Sequence, residues 1–449
     1  MRRFATLPIA LAIFFVNTQP GQAQGHGLRA KIAELFIFGP GEDPLFLAGS
    51  ADPGNPVSIQ AHGSHFVPSA VSSNGSVIGV LTQAISGNVS NAPTGATSGG
   101  ETFKFEAGVP VKTSSSAGPI FAERAQTLGR GRLLVGVGRT GFHFTSLRGI
   151  SLNNLEVFFT HQNVNFAGCD SIYGGPCSKM GIPNLENDVI QDRLAIDVNV
   201  DVTSFYVTYG LTDKFDMSLV VPLVSARMHG RSDALIFPFG GPTAAHFFAG
   251  TTTNPVLTAT REVDGSAFGL GDVAVRAKFN VRESSRASFA LLADARFATG
   301  DEDDLLGSGK LEARAMAVFS AGIGPVAGHV NLGYLYHQGG LQNDAVLATA
   351  GFDHLIADRL TLAVDVVGEL QVGRSKLQLP PAVPYDVPFK RSIVPVPIPD
   401  MRDDIVNGSF GFKYAPSSRL SLIANALVAL NQGGLRSNLA YTLGLEFTP

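Results

Sequence analysis

The sequence contains no tryptophan and only two cysteines in 449 residues, and charged residues make up just 16% of it. Soluble proteins average roughly a quarter charged residues, so the shortage of charge favours a protein with much apolar surface. The formal net charge of -4 gives no basic footprint, and we expect no nucleic-acid partner. Beyond the N-terminal region no run reaches the 18 or more apolar residues of a membrane helix.

The sequence also lacks a recognisable catalytic or metal-binding motif. No Gly-x-Ser-x-Gly nucleophile elbow is present, and the ten histidines are scattered along the chain. His62 and His65 resemble a fragment of a metal site, but no third ligand lies near them. We therefore predict neither an enzyme nor a cofactor, and a hydrolase is the least favoured function.

The N-terminus has the pattern of a secretory signal peptide. Arg2 and Arg3 precede an apolar run over residues 7–16, and the small-residue site Gly21-Gln22-Ala23 follows. We predict cleavage after Ala23, so residues 1–23 are absent from the mature protein. Export makes a disulfide between Cys169 and Cys177 the first expectation, with two free thiols as the alternative.

Residues 24–129 differ from the rest of the chain. Short helices are predicted at residues 28–36 and 77–85, separated by long Gly/Ser/Asn/Pro-rich stretches. This irregular segment is interpreted as a plug inside a barrel, a small periplasmic piece or a disordered tail, since long loops without structure are unusual unless functional.

From residue 130 onwards, the sequence predicts recurrent strands with alternating apolar and polar residues. Short and long connections alternate along this part, as in outer-membrane barrels with short periplasmic turns and longer outer loops. The predicted fold is all-β, an antiparallel up-and-down transmembrane β-barrel. A count of twelve strands places residues 152–159 in an outer loop; a fourteen-strand alternative needs another wall strand within 252–263 or 101–106. The predicted strands are 131–145, 190–210, 215–229, 268–281, 287–298, 309–320, 326–337, 345–355, 360–372, 405–414, 419–431 and 438–447.

The alternation also predicts which side chains face the lumen. One face of several strands collects charges of both signs, and these residues are interpreted as pore-lining groups or as mutually neutralising pairs. They are Arg276, Lys278, Asp294, Arg296, Glu312, Arg314, Asp365 and Glu369. The same reasoning directs Leu194 and its apolar neighbours in 190–210 toward lipid and Asp197, Asn199 and Asp201 toward the lumen.

The last strand, 438–447, is predicted to close the barrel against the first strand, near residues 133–144. It is also the segment that we expect the barrel assembly machinery to recognise. Outer-membrane lipid is the second expected partner. Because tryptophan is missing, tyrosines such as Tyr334, Tyr336, Tyr414 and Tyr441 are expected at the two membrane interfaces.

Two loop or strand features have open interpretations. Pro222 lies inside a predicted strand, where it removes a ladder hydrogen bond. It is either a kink that opens a lateral gate toward lipid or a local bulge. The acidic run Asp301-Glu302-Asp303-Asp304 is either a solvated outer loop or a site for a divalent cation.

Several loose motifs make residues 118–449 resemble a known family. They are the segment 118–131 (Gly-Pro-Ile-Phe-Ala-Glu-Arg-Ala-Gln-Thr-Leu-Gly-Arg-Gly), Tyr209 to Asp216 continuing through Val221-Pro222, Gly269-Leu270-Gly271-Asp272-Val273, and Thr299-Gly300-Asp301-Glu302-Asp303. The chain resembles the outer-membrane barrels grouped as "putative MetA-pathway of phenol degradation" transporters, distantly similar to FadL-type hydrophobic-substrate channels. Many outer-membrane barrels of this kind end on the aromatic residue of the last strand, but here Thr448-Pro449 follows Phe447.

The resemblance implies a location in the outer membrane of a Gram-negative bacterium and a role in moving small apolar or aromatic ligands. It supplies no binding residues. The leading hypothesis is a passive channel, and the alternative is a structural or surface-interaction barrel that acts through its long loops at 146–189, 230–267 and 373–404.

Overall fold

The computed structural model describes residues 27–36, 38, 75–90, 103–106, 109–112, 118–160, 188–237, 247–251, 253–284, 286–377, 379–385 and 389–449. The predicted signal peptide, the Cys169–Cys177 disulfide and the His62–His65 pair lie outside these residues. In the described residues two α-helices precede the barrel, α1 (Leu28–Glu34) and α2 (Gly75–Ser90). Within the described residues, no helix is long and apolar enough to span a membrane.

Twelve strands form the wall of a closed antiparallel barrel. They are β3 (Leu133–Leu147), β6 (Val189–Thr212), β7 (Phe215–Phe237), β11 (Ala274–Glu283), β12 (Ala287–Arg296), β13 (Glu312–Ile323), β14 (Val326–His337), β15 (Ala345–Ala357), β16 (Leu360–Gln371), β19 (Ile405–Ser417), β20 (Leu420–Ala429) and β22 (Leu439–Phe447). Each wall strand pairs with its neighbours in chain order. The twelve-strand prediction is therefore confirmed.

The remaining described strands are short or lie beyond the ring. They are β1 (Phe103–Glu106), β2 (Val109–Lys112), β4 (Ile150–Ser151), β5 (Leu155–Phe159), β8 (Ala249–Thr251), β9 (Asn254–Val256), β10 (Thr258–Leu270), β17 (Val383–Tyr385), β18 (Arg391–Ile393) and β21 (Leu435–Ser437). A 3-10 helix covers Leu152–Asn154. β5 pairs with β6 above the ring, as expected for a strand within an outer loop.

The ring closes between the last strand and the first. Tyr441 pairs with Gly141 and Phe447 with Val135, in an unbroken antiparallel register. Closure leaves no free sheet edge in the part of the wall that meets lipid, where unpaired backbone groups are costly. The predicted closing contact is confirmed.

The two regions suggested for a fourteen-strand barrel do not add wall strands. β1 pairs only with β2, in a separate two-stranded sheet. β10 pairs with the upper half of β7, residues 223–235 nearer the long loops. β11 pairs with its lower half, residues 215–220 nearer the short turns. Since β10 and β11 run in the same direction along β7, they act as one long strand interrupted at residues 271–273.

An apolar belt surrounds the closed ring. On β6 the outward side chains of Phe205, Val207 and Tyr209 are exposed, as are Leu443 and Leu445 on β22. Exposed apolar residues around a closed barrel mark its contact with lipid. Tyr334, Tyr336 and Tyr441 lie toward the long loops and Tyr209 and Tyr414 toward the short turns, all with exposed side chains.

The prediction for the upper half of β6 was wrong. Leu194 and the alternate residues up to Val202 point inward and are buried, whereas Asp197 and Asp201 point outward. The strand is 24 residues long, but a transmembrane strand needs only about 9–11. Its upper half therefore rises above the membrane, where polar side chains face water and apolar ones face a core.

That core fills the barrel above the membrane. Leu28 and Ile32 of α1, Leu35 just after it, and Leu81 and Ile85 of α2 are buried in the same cluster as the inward face of β6 and β7. An amphipathic helix gains stability mainly by burying its apolar stripe against a partner. The two helices thus occupy the long-loop end of the barrel interior.

Candidate lumenal site

A segment without regular structure, residues 118–132, crosses the lumen near the short turns. We call it the lumen segment. Its Thr127 hydroxyl donates to the carbonyl of Asp213 at 2.7 Å, and the Leu128 amide donates to Asp216 at 2.9 Å. At its other end Ile120 packs against Ala363 of β16 and Ile423 of β20, on the far side of the ring. The segment therefore spans the barrel from one wall to the other.

Hydrogen bonds hold the middle of the lumen segment to two further strands, β11 and β13. The Ala125 amide donates to Ser320 of β13 at 3.0 Å, and the Ala125 carbonyl accepts from Asn280 of β11 at 2.8 Å. Lys278 donates to the Arg124 carbonyl at 3.3 Å. Because a buried backbone group without a partner is costly, these wall side chains specify where the segment lies.

Two adjacent side chains of the lumen segment form ion pairs with different parts of the wall. Glu123 pairs with Arg276 of β11 at 2.8 Å, and Arg124 pairs with Asp353 of β15 at 3.0 Å. All four side chains are almost fully buried. Removing one partner of a buried pair leaves an uncompensated charge, which typically costs about 3–5 kcal/mol. The pairs therefore fix the segment across the lumen.

The pair between Arg124 and Asp353 continues into a buried cluster. His329 of β14 lies between two carboxylates, with its Nε2 2.5 Å from Asp365 and its Nδ1 3.6 Å from Asp353. The sequence placed Asp365 on the lumen face but gave no reason to join it to His329. The cross-strand register brings them together with a residue of the lumen segment.

Of the predicted lumen-lining residues, five form one group on three adjacent strands. Asp294 of β12 lies 3.0 Å from Arg276, 3.1 Å from Arg314 and 3.4 Å from Arg296. Glu312 is directly opposite Arg296 in the register. Lys278 lies inside the barrel two residues from Arg276 on β11, and Asp365 and Glu369 lie inside it on β16.

A cavity of about 260 Å³ lies between α2 and the lumen segment. Ala84 and Gly87 of α2 line one end, and Phe121 and Glu123 line the other. The wall contributes both apolar side chains and part of the charged group described above. They include Phe142, Leu292, Arg296, Arg314, Met316, Leu335, His337, Leu347, Glu369 and Leu427.

The helices are bound to the outer loops by polar contacts. Arg29 of α1 pairs with Glu302 at 2.8 Å, and the Leu28 amide donates to Asp304 at 3.3 Å. On α2, the Gln83 side chain accepts from the Leu341 amide at 2.5 Å. The acidic run 301–304 is thus a docking point for α1, an outcome that neither sequence interpretation of that loop included.

Two of the family motifs meet in space. Asp272, from the Gly-Leu-Gly-Asp motif, accepts from the Gly300 amide at 3.0 Å and from the Ser308 amide at 2.7 Å. Asp301 in turn accepts from the Asp303 amide at 2.9 Å. One buried carboxylate therefore shapes the loop that binds α1 and joins the two motifs in space.

Pro222 lies where β10 passes into β11. Its carbonyl accepts from the Gly271 amide at 2.9 Å, and its register with Ser204 of β6 is unbroken. In an antiparallel strand the N–H and C=O of one residue point to the same side, so the donor that proline lacks would have faced residues 271–273. The proline therefore coincides with an irregularity between β7 and β10–β11.

The sequence missed the partners on the lumen segment and one loop anchor. Glu123 and Arg124 lie in a segment without periodicity, and only the family motif drew attention to them. Arg148 lies at the top of β3 with a φ of 48°, and it binds Asp403 through two nitrogens at 2.7 and 2.8 Å. Nothing local in the sequence marks it as an anchor.

A family model described as "Putative MetA-pathway of phenol degradation" matches residues 186–372. This match confirms the resemblance inferred from the motifs. The matched region begins just before β6 and ends just after β16, so it covers eight of the wall strands. A comparison with curated proteins gave no match.

Solved structures of outer-membrane barrels are similar to this chain. The COG4313 outer membrane channel from Pseudomonas putida F1 is 10% identical, with a TM-score of 0.40 over 72% of this chain and 98% of that one. A FadL homologue from Pseudomonas aeruginosa is 10% identical, with a TM-score of 0.32 over 71% and 89%. The KdgM porin is 7% identical, with a TM-score of 0.30 over 58% and 98%. These likenesses concern the barrel architecture, which the strand pairing establishes independently.

Proposed function

We propose that the protein is an outer-membrane channel for the passive movement of small hydrophobic or aromatic compounds. The cavity in the lumen is the observation that carries this proposal. Apolar side chains and polar or charged side chains line it in similar numbers, and a concave site that combines apolar surface with convergent polar groups is typical of small-molecule binding. The family match and the barrel architecture are consistent with transport.

In this proposal residues 24–129 form a plug. The described parts support that role, because α1 and α2 fill the outer end of the lumen and residues 118–132 cross its inner end. Ion pairs on the lumen segment and on α1 hold these pieces to the wall. The signal peptide over residues 1–23 would deliver the chain to the periplasm before assembly.

Conductance in planar bilayers tests the channel. We expect little current through the full chain, more after deletion of residues 24–117, and most after deletion of 24–129, because each deletion removes a layer from the lumen. A heat-dependent shift in electrophoretic mobility serves as the folding control. A folded barrel that stays closed after both deletions would contradict transport.

Such a result would favour the alternative, a structural or surface-interaction barrel. The observation in its favour is the outer loop at 373–404, which Arg148 binds through Asp403, Ser375 at 2.5 Å and the Pro399 carbonyl at 3.1 Å. A fixed outer loop presents a defined surface to a partner. It does not require an open lumen.

A lateral exit at Pro222 stays a prediction. The irregularity at residues 271–273 puts the interrupted pairing between β7 and β10–β11, so any gap toward lipid lies there. Replacing Pro222 with Val restores the missing donor and is expected to lower uptake of an apolar aromatic compound such as toluene. Unchanged uptake by a correctly folded variant would remove the exit from the proposal.

A further inference from the structure

Arg296 and Arg314 both line the cavity, and neither uses all of its hydrogen-bond donors. Arg296 approaches Asp294 only through Nε, at 3.4 Å, and Arg314 only through Nη2, at 3.1 Å. Among the described residues, Nη1 of Arg296 and Nε of Arg314 have no hydrogen-bond partner. An unsatisfied buried donor on a charged group is costly, so these atoms are suited to an added acceptor.

Asp294 cannot supply that acceptor, because it is already shared. A third arginine, Arg276, donates to the same carboxylate at 3.0 Å. Arg276 is also held by Glu123 at 2.8 Å. Three guanidinium groups thus converge on one carboxylate. Arg276 has a second acidic partner, Glu123, so it is the arginine least available to a ligand. The remaining binding capacity lies with Arg296 and Arg314.

A carboxylate on another strand also lines the cavity. Glu369 of β16 lines the same space and interacts electrostatically with Arg296 and Arg314. Between the two walls lie apolar side chains, among them Leu335 and Leu347. A ligand in the cavity therefore meets two arginines with unused donors, apolar surface and the carboxylate of Glu369.

We propose that this cavity binds a small monocarboxylate with an apolar body, its carboxylate placed between Arg296 and Arg314. The inference rests on the proposed channel function and narrows its substrate class. A guanidinium group matches the two oxygens of a carboxylate in a fork geometry. At about 260 Å³ the cavity exceeds the 150 Å³ engineered cavity that holds benzene, so one ring with a carboxylate fits. The carboxylate of Glu369 in the same cavity disfavours a ligand with a second negative charge.

Equilibrium dialysis of the full chain in detergent micelles tests the site. The probes are benzoate, the dianion terephthalate and the neutral benzyl alcohol. We expect benzoate to bind at least tenfold more tightly than either of the others. Arg296→Gln and Arg314→Gln should each weaken benzoate binding about tenfold, in line with the loss of one charged hydrogen bond. Arg286→Gln, at an exposed short turn, is the matched control and should change nothing.

Glu369→Gln tests whether charge, and not burial of the ring alone, determines ligand affinity. It should tighten benzoate binding and allow terephthalate to bind, because the negative charge of residue 369 is removed. Arg314→Lys keeps the charge but loses the fork, and we expect an intermediate affinity for benzoate. This variant keeps the test decisive if Arg314→Gln does not fold.

Equal binding of benzoate and benzyl alcohol would overturn the proposal, as would full benzoate affinity in both folded arginine-to-glutamine variants. These failures are distinct from failure of the channel. A plug-deleted barrel that conducts but shows no preference for benzoate contradicts only the ligand class. Benzoate binding without conductance contradicts only the channel.

Discussion

The carboxyl group of Asp192 lies buried in the apolar core above the membrane. Its side chain is fully buried, and the Ser232 hydroxyl donates to one of its oxygens at 2.6 Å. The other oxygen has no hydrogen-bond partner among the described residues. Burial raises the pKa of Asp192 to about 7, and the nearby charge of Asp233 adds to the shift.

This pKa makes the stability of the folded protein depend on pH. The carboxyl group binds its proton more tightly when folded, so its stabilising effect is complete below pH about 4 and is lost as the pH rises to about 7. Asp192→Asn mimics the neutral acid. We expect the variant to be more stable than the parent above pH 7, by at most about 4 kcal/mol, and to match it near pH 4.

Urea unfolding of the refolded protein at several pH values between 4 and 8.5 measures the effect. Asp358→Asn, at an exposed short turn, is the control and should leave the parent profile intact. An unfolding free energy of the parent that changes with pH no more than that of Asp192→Asn would show that the buried carboxyl group is not responsible.

At the scale of single residues, the sequence identified what alternation can identify. The inward direction of Arg276, Asp294 and Arg314 follows from a period of two, since successive side chains point to opposite faces. Glu123 and Arg124 could not be found this way, because their segment has no period. Their positions are set by partners that lie more than 150 residues away in the chain.

At the scale of elements, the error on β6 has a clear physical origin. Alternation gives two faces but does not say which face meets lipid and which meets a protein core. The upper half of β6 has apolar residues facing a core built partly by α1 and α2, far away in the sequence. Its length, 24 residues, was the available signal that part of the strand lies outside the membrane.

The loop at 373–404 provides a prediction at this scale. Arg148 places its buried guanidinium between Asp403, Ser375 and the Pro399 carbonyl. Arg148→Ala removes every one of these bonds, and each bond to a charged group contributes about 1.5–3 kcal/mol. We therefore expect the loop to open more often and trypsin to cut faster at Arg374 or Lys376 in the folded barrel.

Arg148→Lys distinguishes charge from geometry, because lysine keeps the positive charge but cannot bind Asp403 through two nitrogens. It should give an intermediate cleavage rate, measured by the disappearance of the intact chain under limiting trypsin. Arg227→Ala, an exposed arginine on the outer face of β7, is the control. Equal cleavage of the alanine variant and the parent would mean that Arg148 does not hold the loop.

At the scale of the whole molecule, strand count and closure were predictable because they depend on a rhythm repeated along about 300 residues of the chain. The interior of the barrel was not predictable, because its contents come from the irregular N-terminal segment. Gly- and Ser-rich sequence gives no periodicity from which to place α1 at the outer end and residues 118–132 at the inner end. Only the contacts with particular wall and loop residues, such as Glu302 and Asp353, determine that arrangement.

The placement of α1 predicts that part of the N-terminal segment is accessible from outside the cell. Arg29 binds Glu302 in the loop between β12 and β13, which lies at the long-loop end, and Ala33 of α1 is exposed. Long loops face outward in barrels of this kind.

Ala33→Cys should therefore react in intact cells with a maleimide reagent too large to pass through porins. Ser418→Cys, in the short turn between β19 and β20, should react only after the outer membrane is permeabilised. The parent chain, labelled in parallel, gives the background from Cys169 and Cys177. Labelling of Ser418→Cys but not of Ala33→Cys in intact cells would place α1 at the periplasmic end, and the plug would then have to enter the barrel from the opposite side.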